Sequence, residues 1–377
     1  MNVAVDIEPF YRNRAGVGRY VEGLLGALTR LPEADDYTLF RSSTYASAES
    51  VPGLVRERVR DVTLPMSHKA CRLRWLLLGR PRVERYVGSQ DLFFSPGVSA
   101  FPTRGRLVVV LFDLVWLKFP HFYPRRSVWL RGLDLRRVVK RATAIVTISE
   151  ASRRDILEAT GFDEDRVSAV PLGIDPRLQT VPSTQEVSQA LDALGVRRPY
   201  VLAIAGDNSP KKNLPNLVRA LAALPTEMRD VRLVNVGNPR YDTAALDRVI
   251  AECGVGDRVQ SVGRVSDEEL RMLYAGARVT AYPSFYEGFG FPIVESMTLG
   301  TPVVTSNTSS MPEVAGDAAL LVAPDDVAGL SQAIASLVGD DALHASLAAK
   351  GRERAKQFTW ERCARETRDV FAGLVET

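Results

Sequence analysis

Two carboxylates stand eight residues apart in the segment SFYEGFGFPIVESMTLGTPVV: Glu287 and Glu295, with Gly288 and Gly290 between them. The apolar run at 277–284 reads as a buried strand of a parallel sheet, and 291–299 reads as a helix with Pro292 in its first turn, where a missing N–H costs nothing. Thr301-Pro302 ends that helix and Val303 begins another strand. One acid therefore lies in a glycine loop at the carboxyl end of a strand, and the other lies on the helix that follows. In an open α/β sheet ligands bind at that crevice. The helix N-terminus suits a phosphate, and two acids beside it suit sugar hydroxyls. An acid before a helix is by itself only a favourable dipole partner, and a lone E-x7-E carries nothing. Its combination with G-F-G-F-P and T-P-V-V points to a sugar nucleotide.

A second constellation sits at 206–221, GDNSPKKNLPNLVRAL. It follows a strand and opens a helix, so Lys211 and Lys212 lie where cations can clamp a pyrophosphate. Taken alone a Lys-Lys pair is solvated surface. In SVGRVSDEELRMLYAGA (261–277), Ser266 reads as the cap of a helix whose first turn, Asp267-Glu268-Glu269, suits the positive end of the dipole.

Together these segments resemble the retaining GT-B glycosyltransferases of the glycosyltransferase 4 family (group 1, mannosyltransferase-like). The resemblance implies a catalytic set of Glu287, Lys212 and Lys211. Lys212 would hold the donor diphosphate, with Lys211 where the family usually has arginine, whose flat bidentate contact a lysine does not reproduce. Glu287 would bind donor-sugar hydroxyls and Glu295 the ribose. Backbone N–H groups of Gly288, Phe289, Gly290 and Phe291 would reach sugar and phosphates, and the backbone near Gly206, Gly263, Arg264 and Val265 would complete the donor side. Asn307, Ser309 and Glu313 would be secondary contacts, though a turn explains them equally well. Gly16 and Gly18, in G-V-G-R-Y, match a family loop near the donor phosphate, while Arg19 and Tyr20 read equally as helix surface. G-V-G is not a dinucleotide fingerprint. On the acceptor side stand Phe112, Asp113 and Ser149. Family members commonly read H-D-L where this chain has Phe112-Asp113-Leu114, and phenylalanine neither hydrogen-bonds nor transfers a proton. His121 reads as a loop residue.

The elements that must position these groups alternate strand and helix throughout, which argues for an α/β fold with parallel sheets. Strands are expected near 2–7, 37–40, 91–95, 107–111, 143–148 and 167–171, and the second half restarts at 200–206. Helices are expected near 16–31, 69–87, 126–141 and 149–160, and later at 212–224, 241–252, 266–275 and 291–299. The segment 171–186, with three prolines, reads as a linker. The fold expected from the resemblance is GT-B: two Rossmann-like, doubly wound domains facing a cleft. An acceptor-side domain would span 1–178 and a nucleotide-sugar domain 179–358. A terminal helix at 359–377, capped by Thr359, would pack back on the first domain.

Composition fits a folded protein of this kind: 377 residues, 46% hydrophobic and 25% charged. Cys71, Cys253 and Cys363 build no disulfide framework or metal cluster, and no run approaches a membrane span, so a cytoplasmic protein is expected. Charge is uneven. Residues 51–150 hold 19 Lys+Arg against 7 Asp+Glu, whereas 201–377 hold 18 against 23. The apolar stripe of 124–141 reads as core and its arginines as solvated. The basic excess as a whole points to an acidic or lipid-linked partner and to peripheral contact with an anionic membrane; no nucleic-acid motif accompanies it. Asp163-Glu164-Asp165 reads as a solvated turn, and no metal requirement is expected, since lysines and helix dipoles can stabilise a leaving diphosphate. The function expected is retaining, metal-independent transfer of a hexose, mannose-like by preference, from a nucleotide sugar to a glycan or lipid-linked acceptor. The rivals are a catalytically impaired subunit that binds a nucleotide sugar or a partner glycosyltransferase, and a sugar-nucleotide epimerase.

Overall fold

A computed structural model describes residues 1–12, 16–33, 35–98, 101–206, 209–238 and 243–376. The chain divides into two compact units, one comprising Met1–Gly173 with Thr359–Thr377 and the other Ile174–Phe358. The division precedes the expected boundary at 178 because Asp175–Gln179 belongs with the second unit. There Leu178 is buried and Arg177 reaches Asp267 at 3.4 Å.

The first unit is built on β1 (Asn2–Asp6), β2 (Asp36–Ser42), β3 (Val59–Leu64), β4 (Leu92–Ser95), β5 (Arg106–Val110), β6 (Ala144–Thr147) and β7 (Val167–Ala169). All pairs are parallel and the order is β3-β2-β1-β4-β5-β6-β7. The central strands are continuous apolar runs such as Val3-Ala4-Val5 and Leu107–Val110, fully buried, as strands covered on both faces require. Edge strand β3 was not expected. Its sequence VRDVTL carries Arg60 and Asp61 and only Leu64 is buried, so it lacks the apolar run that marks its neighbours. The helix expected at 69–87 is instead two, His68–Leu77 and Glu84–Val87. The terminal helix Trp360–Val375, capped by Thr359, packs on the Gly16–Leu28 helix within this unit, burying Trp360, Cys363 and Phe371.

The second unit repeats the scheme with β8 (Tyr200–Gly206), β9 (Arg232–Gly237), β10 (Val259–Gly263), β11 (Val279–Tyr282), β12 (Val303–Ser306) and β13 (Ala319–Val322), ordered β10-β9-β8-β11-β12-β13 and all parallel. The chain runs outward from β8 to β10, then returns to add β11 on β8's other side. The reversal opens a crevice between the carboxyl ends of β8 and β11. The supposed linker at 171–186 is partly helical: Ser183 and Glu186 form a capping box for the helix Thr184–Ala193, whose Val187 and Leu191 are buried. Among the described residues no helix is long and apolar enough to cross a membrane.

Candidate active site

Both second-unit constellations converge at the crevice between β8 and β11. After β8, which ends at Gly206, the turn Pro210–Lys212 carries the two lysines; Asp207 and Asn208 lie outside the described residues. Asn213 follows with a left-handed backbone (φ 58°). Its side-chain amide donates to the carbonyls of Pro283 and Pro324, and the Phe285 N–H donates to the Lys211 carbonyl at 2.8 Å. These bonds clamp the lysine turn onto the loop that leaves β11.

That loop delivers Glu287 between the lysines. Its Oε2 lies 3.0 Å from Lys211 Nζ and its Oε1 lies 2.8 Å from Lys212 Nζ. Lys212 Nζ also donates to the Tyr282 hydroxyl and sits 4.6 Å from the centre of that ring. Glu287 is 7% exposed. Burial pushes its carboxyl up, but Lys211 and then Lys212 outweigh burial and bring it down to about 2. The group is therefore a carboxylate at any ordinary pH. Its backbone is held as well: the Glu287 N–H donates to Ser309 Oγ at 3.0 Å, and Ser310 Oγ donates to the carbonyls of Glu287 and Phe289.

The helix Phe291–Thr298 begins at Gly290, whose φ of 113° suits glycine. A Cβ there would also lie 3.0 Å from Ile293 Cδ1. Glu295 is buried on this helix, and the Tyr274 hydroxyl donates to its Oε2 at 2.7 Å. Ser296 Oγ donates to Thr280 Oγ1 and the Thr301 carbonyl, fixing the helix against β11. Gly263 ends β10, and Arg264 and Val265 form the link to the helix Asp267–Gly276, whose Ser266–Glu269 capping box is complete. Tyr274, Tyr282 and Ser310 were not legible as site residues. The tyrosines lie in apolar stretches that read as core, and only the hydroxyl contacts distinguish them.

The remaining candidates belong to the first unit. Gly16 and Gly18 occupy the first turn of the helix Gly16–Leu28, directly after residues 13–15, which lie outside the described ones. Tyr20 is not helix surface: it is fully buried, and its ring meets Phe112 edge-on at 5.1 Å. Arg19 is half-buried. Asp113 Oδ1 accepts the Val115 N–H at 3.1 Å, and Ser149 Oγ, itself buried, accepts from Ser152 N–H to cap the helix Glu150–Thr160. A local turn bond accounts for the Asp113 side chain and a helix cap for that of Ser149. Asp163 likewise caps the turn Glu164–Arg166.

Residues 192–354 match the family described as glycosyl transferases group 1, and residues 14–178 match glycosyltransferase family 4. The chain belongs to these group 1, family 4 glycosyltransferases. This glycosyltransferase is 29% identical over 390 residues to the O-antigen chain mannosyltransferase B of Escherichia coli, covering 98% of this chain and 99% of that one. It is 35% identical over 276 residues to the MMP alpha-(1->4)-mannosyltransferase of Mycolicibacterium hassiacum, a match spanning 71% of this chain and 62% of that relative. In fold, the glycosyltransferase resembles Anabaena HepE, solved with UDP and glucose (TM-score 0.76, 19% identity, 99% of this chain and 100% of that one). It likewise resembles WaaG, a glycosyltransferase involved in lipopolysaccharide biosynthesis (TM-score 0.72, 16% identity, 99% and 100%). These likenesses carry the two-domain GT-B fold.

Proposed function

We propose that the protein is a retaining hexosyltransferase that moves a mannose-like sugar from a nucleotide sugar to a glycan or lipid-linked acceptor without a metal ion. The observation that carries this is the buried Glu287 carboxylate between Lys211 and Lys212, beside a helix that bears Glu295. Two ammonium groups at a strand's carboxyl end supply the positive charge that a departing diphosphate needs. On donor binding the lysines turn to the diphosphate and Glu287 turns its oxygens to the sugar hydroxyls, while Glu295 holds the ribose. The acceptor hydroxyl attacks from the face that the diphosphate leaves. The C1–phosphate bond breaks as the new glycosidic bond forms, and the departing phosphate takes the acceptor's proton. No side-chain base is then required. The mannose preference rests on the mannosyltransferase relatives. Peripheral placement at an anionic membrane follows from the basic 51–150 region.

The test is a panel of GDP-, UDP-, dTDP- and ADP-linked sugars, read for binding and slow hydrolysis with and without a chelator. One donor hydrolysed equally in both conditions supports the reading, and the anomeric configuration of the product, read by NMR, decides retention. Binding to no donor would sink it. The epimerase reading predicts donor conversion without any acceptor. A donor-binding subunit without turnover is the second reading, and Phe112 favours it: hydrocarbon packed on Tyr20 stands where family members carry histidine. Turnover restored by Phe112→His would establish that second reading.

A further inference from the structure

The ammonium groups of Lys211 and Lys212 hold an anion of the chain's own. Glu287 gives one oxygen to each, at 3.0 and 2.8 Å, and the side chains of the two lysines and the glutamate are only 17%, 15% and 8% exposed. The two loops are joined without this ion pair. The Asn213 amide donates to the carbonyls of Pro283 and Pro324, and the Phe285 N–H donates to the Lys211 carbonyl. Ser309 accepts the Glu287 N–H, and Ser310 donates to the carbonyls of Glu287 and Phe289. Both backbones are therefore pinned independently, and an exchange of partners needs only side-chain rotation.

A diphosphate that claims the lysines takes Glu287's partners from it. The Tyr282 hydroxyl also meets the carboxylate, but it has one proton to give, and it already accepts from Lys212 Nζ. An ionised carboxylate has room for about four donors. Burial pushes the Glu287 carboxyl up and the two lysines outweigh it, so burial acts against the charge once they turn away. A buried carboxylate stripped of its cations is costly. The hydroxyls of a linked sugar supply new donors to it. A bare diphosphate supplies none.

We infer that Glu287 is a specificity-determining residue that favours the sugar-bearing nucleotide over the nucleoside diphosphate left behind by transfer. The whole donor replaces both halves of the ion pair: phosphate oxygens meet the lysines and sugar hydroxyls meet Glu287. The nucleoside diphosphate takes the lysines only by stranding the carboxylate, which competes to return to them and so promotes product release. For the identity of the displacing anion this rests on the transferase reading above. A merely structural ion pair behaves in the opposite way, since its loss would weaken binding of both nucleotides alike.

The test uses the full chain and calorimetry with GDP, UDP, dTDP and ADP, each beside its mannose- or glucose-linked form. Glu287→Gln keeps the size of the side chain and removes its charge. The variant should bind the accepted nucleoside diphosphate about tenfold more tightly than the wild type, and its preference for the sugar-linked form should fall by about tenfold or more. Unchanged or weaker binding of the nucleoside diphosphate overturns the inference. A second measurement needs no variant. Free mannose or glucose offers Glu287 hydroxyls without a covalent link, so hexose should tighten nucleoside diphosphate binding to the wild type by about fivefold or more. By reciprocity the nucleoside diphosphate should tighten hexose binding by the same factor. Absence of coupling with both hexoses overturns the inference even where Glu287→Gln fails to fold. Failure of the transferase reading looks different: no nucleotide, with or without its sugar, binds the wild type, and the inference falls with it.

Discussion

Glu287 is a buried carboxylate between two ammonium groups, and its chemistry follows from that. With its carboxyl held at about 2, it contributes stability that is present above the ordinary carboxylate range and is lost as pH falls through the folded value. Donor affinity should therefore show no acid limb from this group between pH 5 and 8, read from nucleotide-sugar titrations across that window. Lys212→Ala removes one of the two cations and leaves the fold's other ties in place. Turnover should fall by about 10²–10³, the scale of losing one charge-stabilising donor, with the urea midpoint as a check on folding. Asp6 behaves oppositely. Its carboxyl, raised to about 8 by burial and Glu8 against a smaller opposing pull from Arg12, keeps a proton in the folded chain that the unfolded chain releases near pH 4. Stability falls as pH rises across that window. Asp6→Asn should flatten the decline, read from tryptophan fluorescence in urea at pH 5, 6, 7 and 8. The sequence shows both motifs at strand ends; their mutual ion pairs were not legible, because the residues are 75 positions or more apart in the chain.

At the scale of elements, the strand–loop–helix unit from β11 through Thr298 does most of the positioning. The sequence reading of this unit was close, with a helix at 291–299 against Phe291–Thr298. The reason is that buried parallel strands are short apolar runs bounded by glycine and proline. Edge strand β3 and the Thr184–Ala193 helix were missed for the complementary reason: one is charged and mostly exposed, and the other hides behind a proline-rich lead-in. The loop's geometry depends on Gly290. Gly290→Ala places a Cβ at φ 113° and against Ile293, so the helix start must shift. Nucleotide-sugar affinity should drop at least tenfold, measured by calorimetry, while the tryptophan-reported stability of the first unit changes little. A weaker second-unit fold with unchanged affinity would show that the helix start does not bind the donor.

At the scale of the whole chain, the order of elements makes the first unit depend on the last residues of the sequence. The chain leaves that unit after Gly173 and returns at Thr359. The returning helix is core, not decoration. Phe371 is fully buried and meets Phe94 edge-on at 5.1 Å, and the Trp360 ring fills the space that a Cβ on Gly23 would need. All four tryptophans (Trp75, Trp116, Trp129 and Trp360) belong to the first unit, so their fluorescence reports on it alone. Phe371→Ala removes an aromatic side chain from a closed site and should cost about 3–5 kcal/mol. The loss should appear as a lower urea midpoint in tryptophan fluorescence. Nucleotide-sugar affinity, which the proposed function assigns to the lysines and glutamates of the second unit, should change less than twofold under conditions where the variant stays folded. An equal loss of donor affinity would mean that the terminal helix supports the donor site as well as its own unit. An unchanged midpoint would mean that the first sheet is stable without the side chain that closes its core.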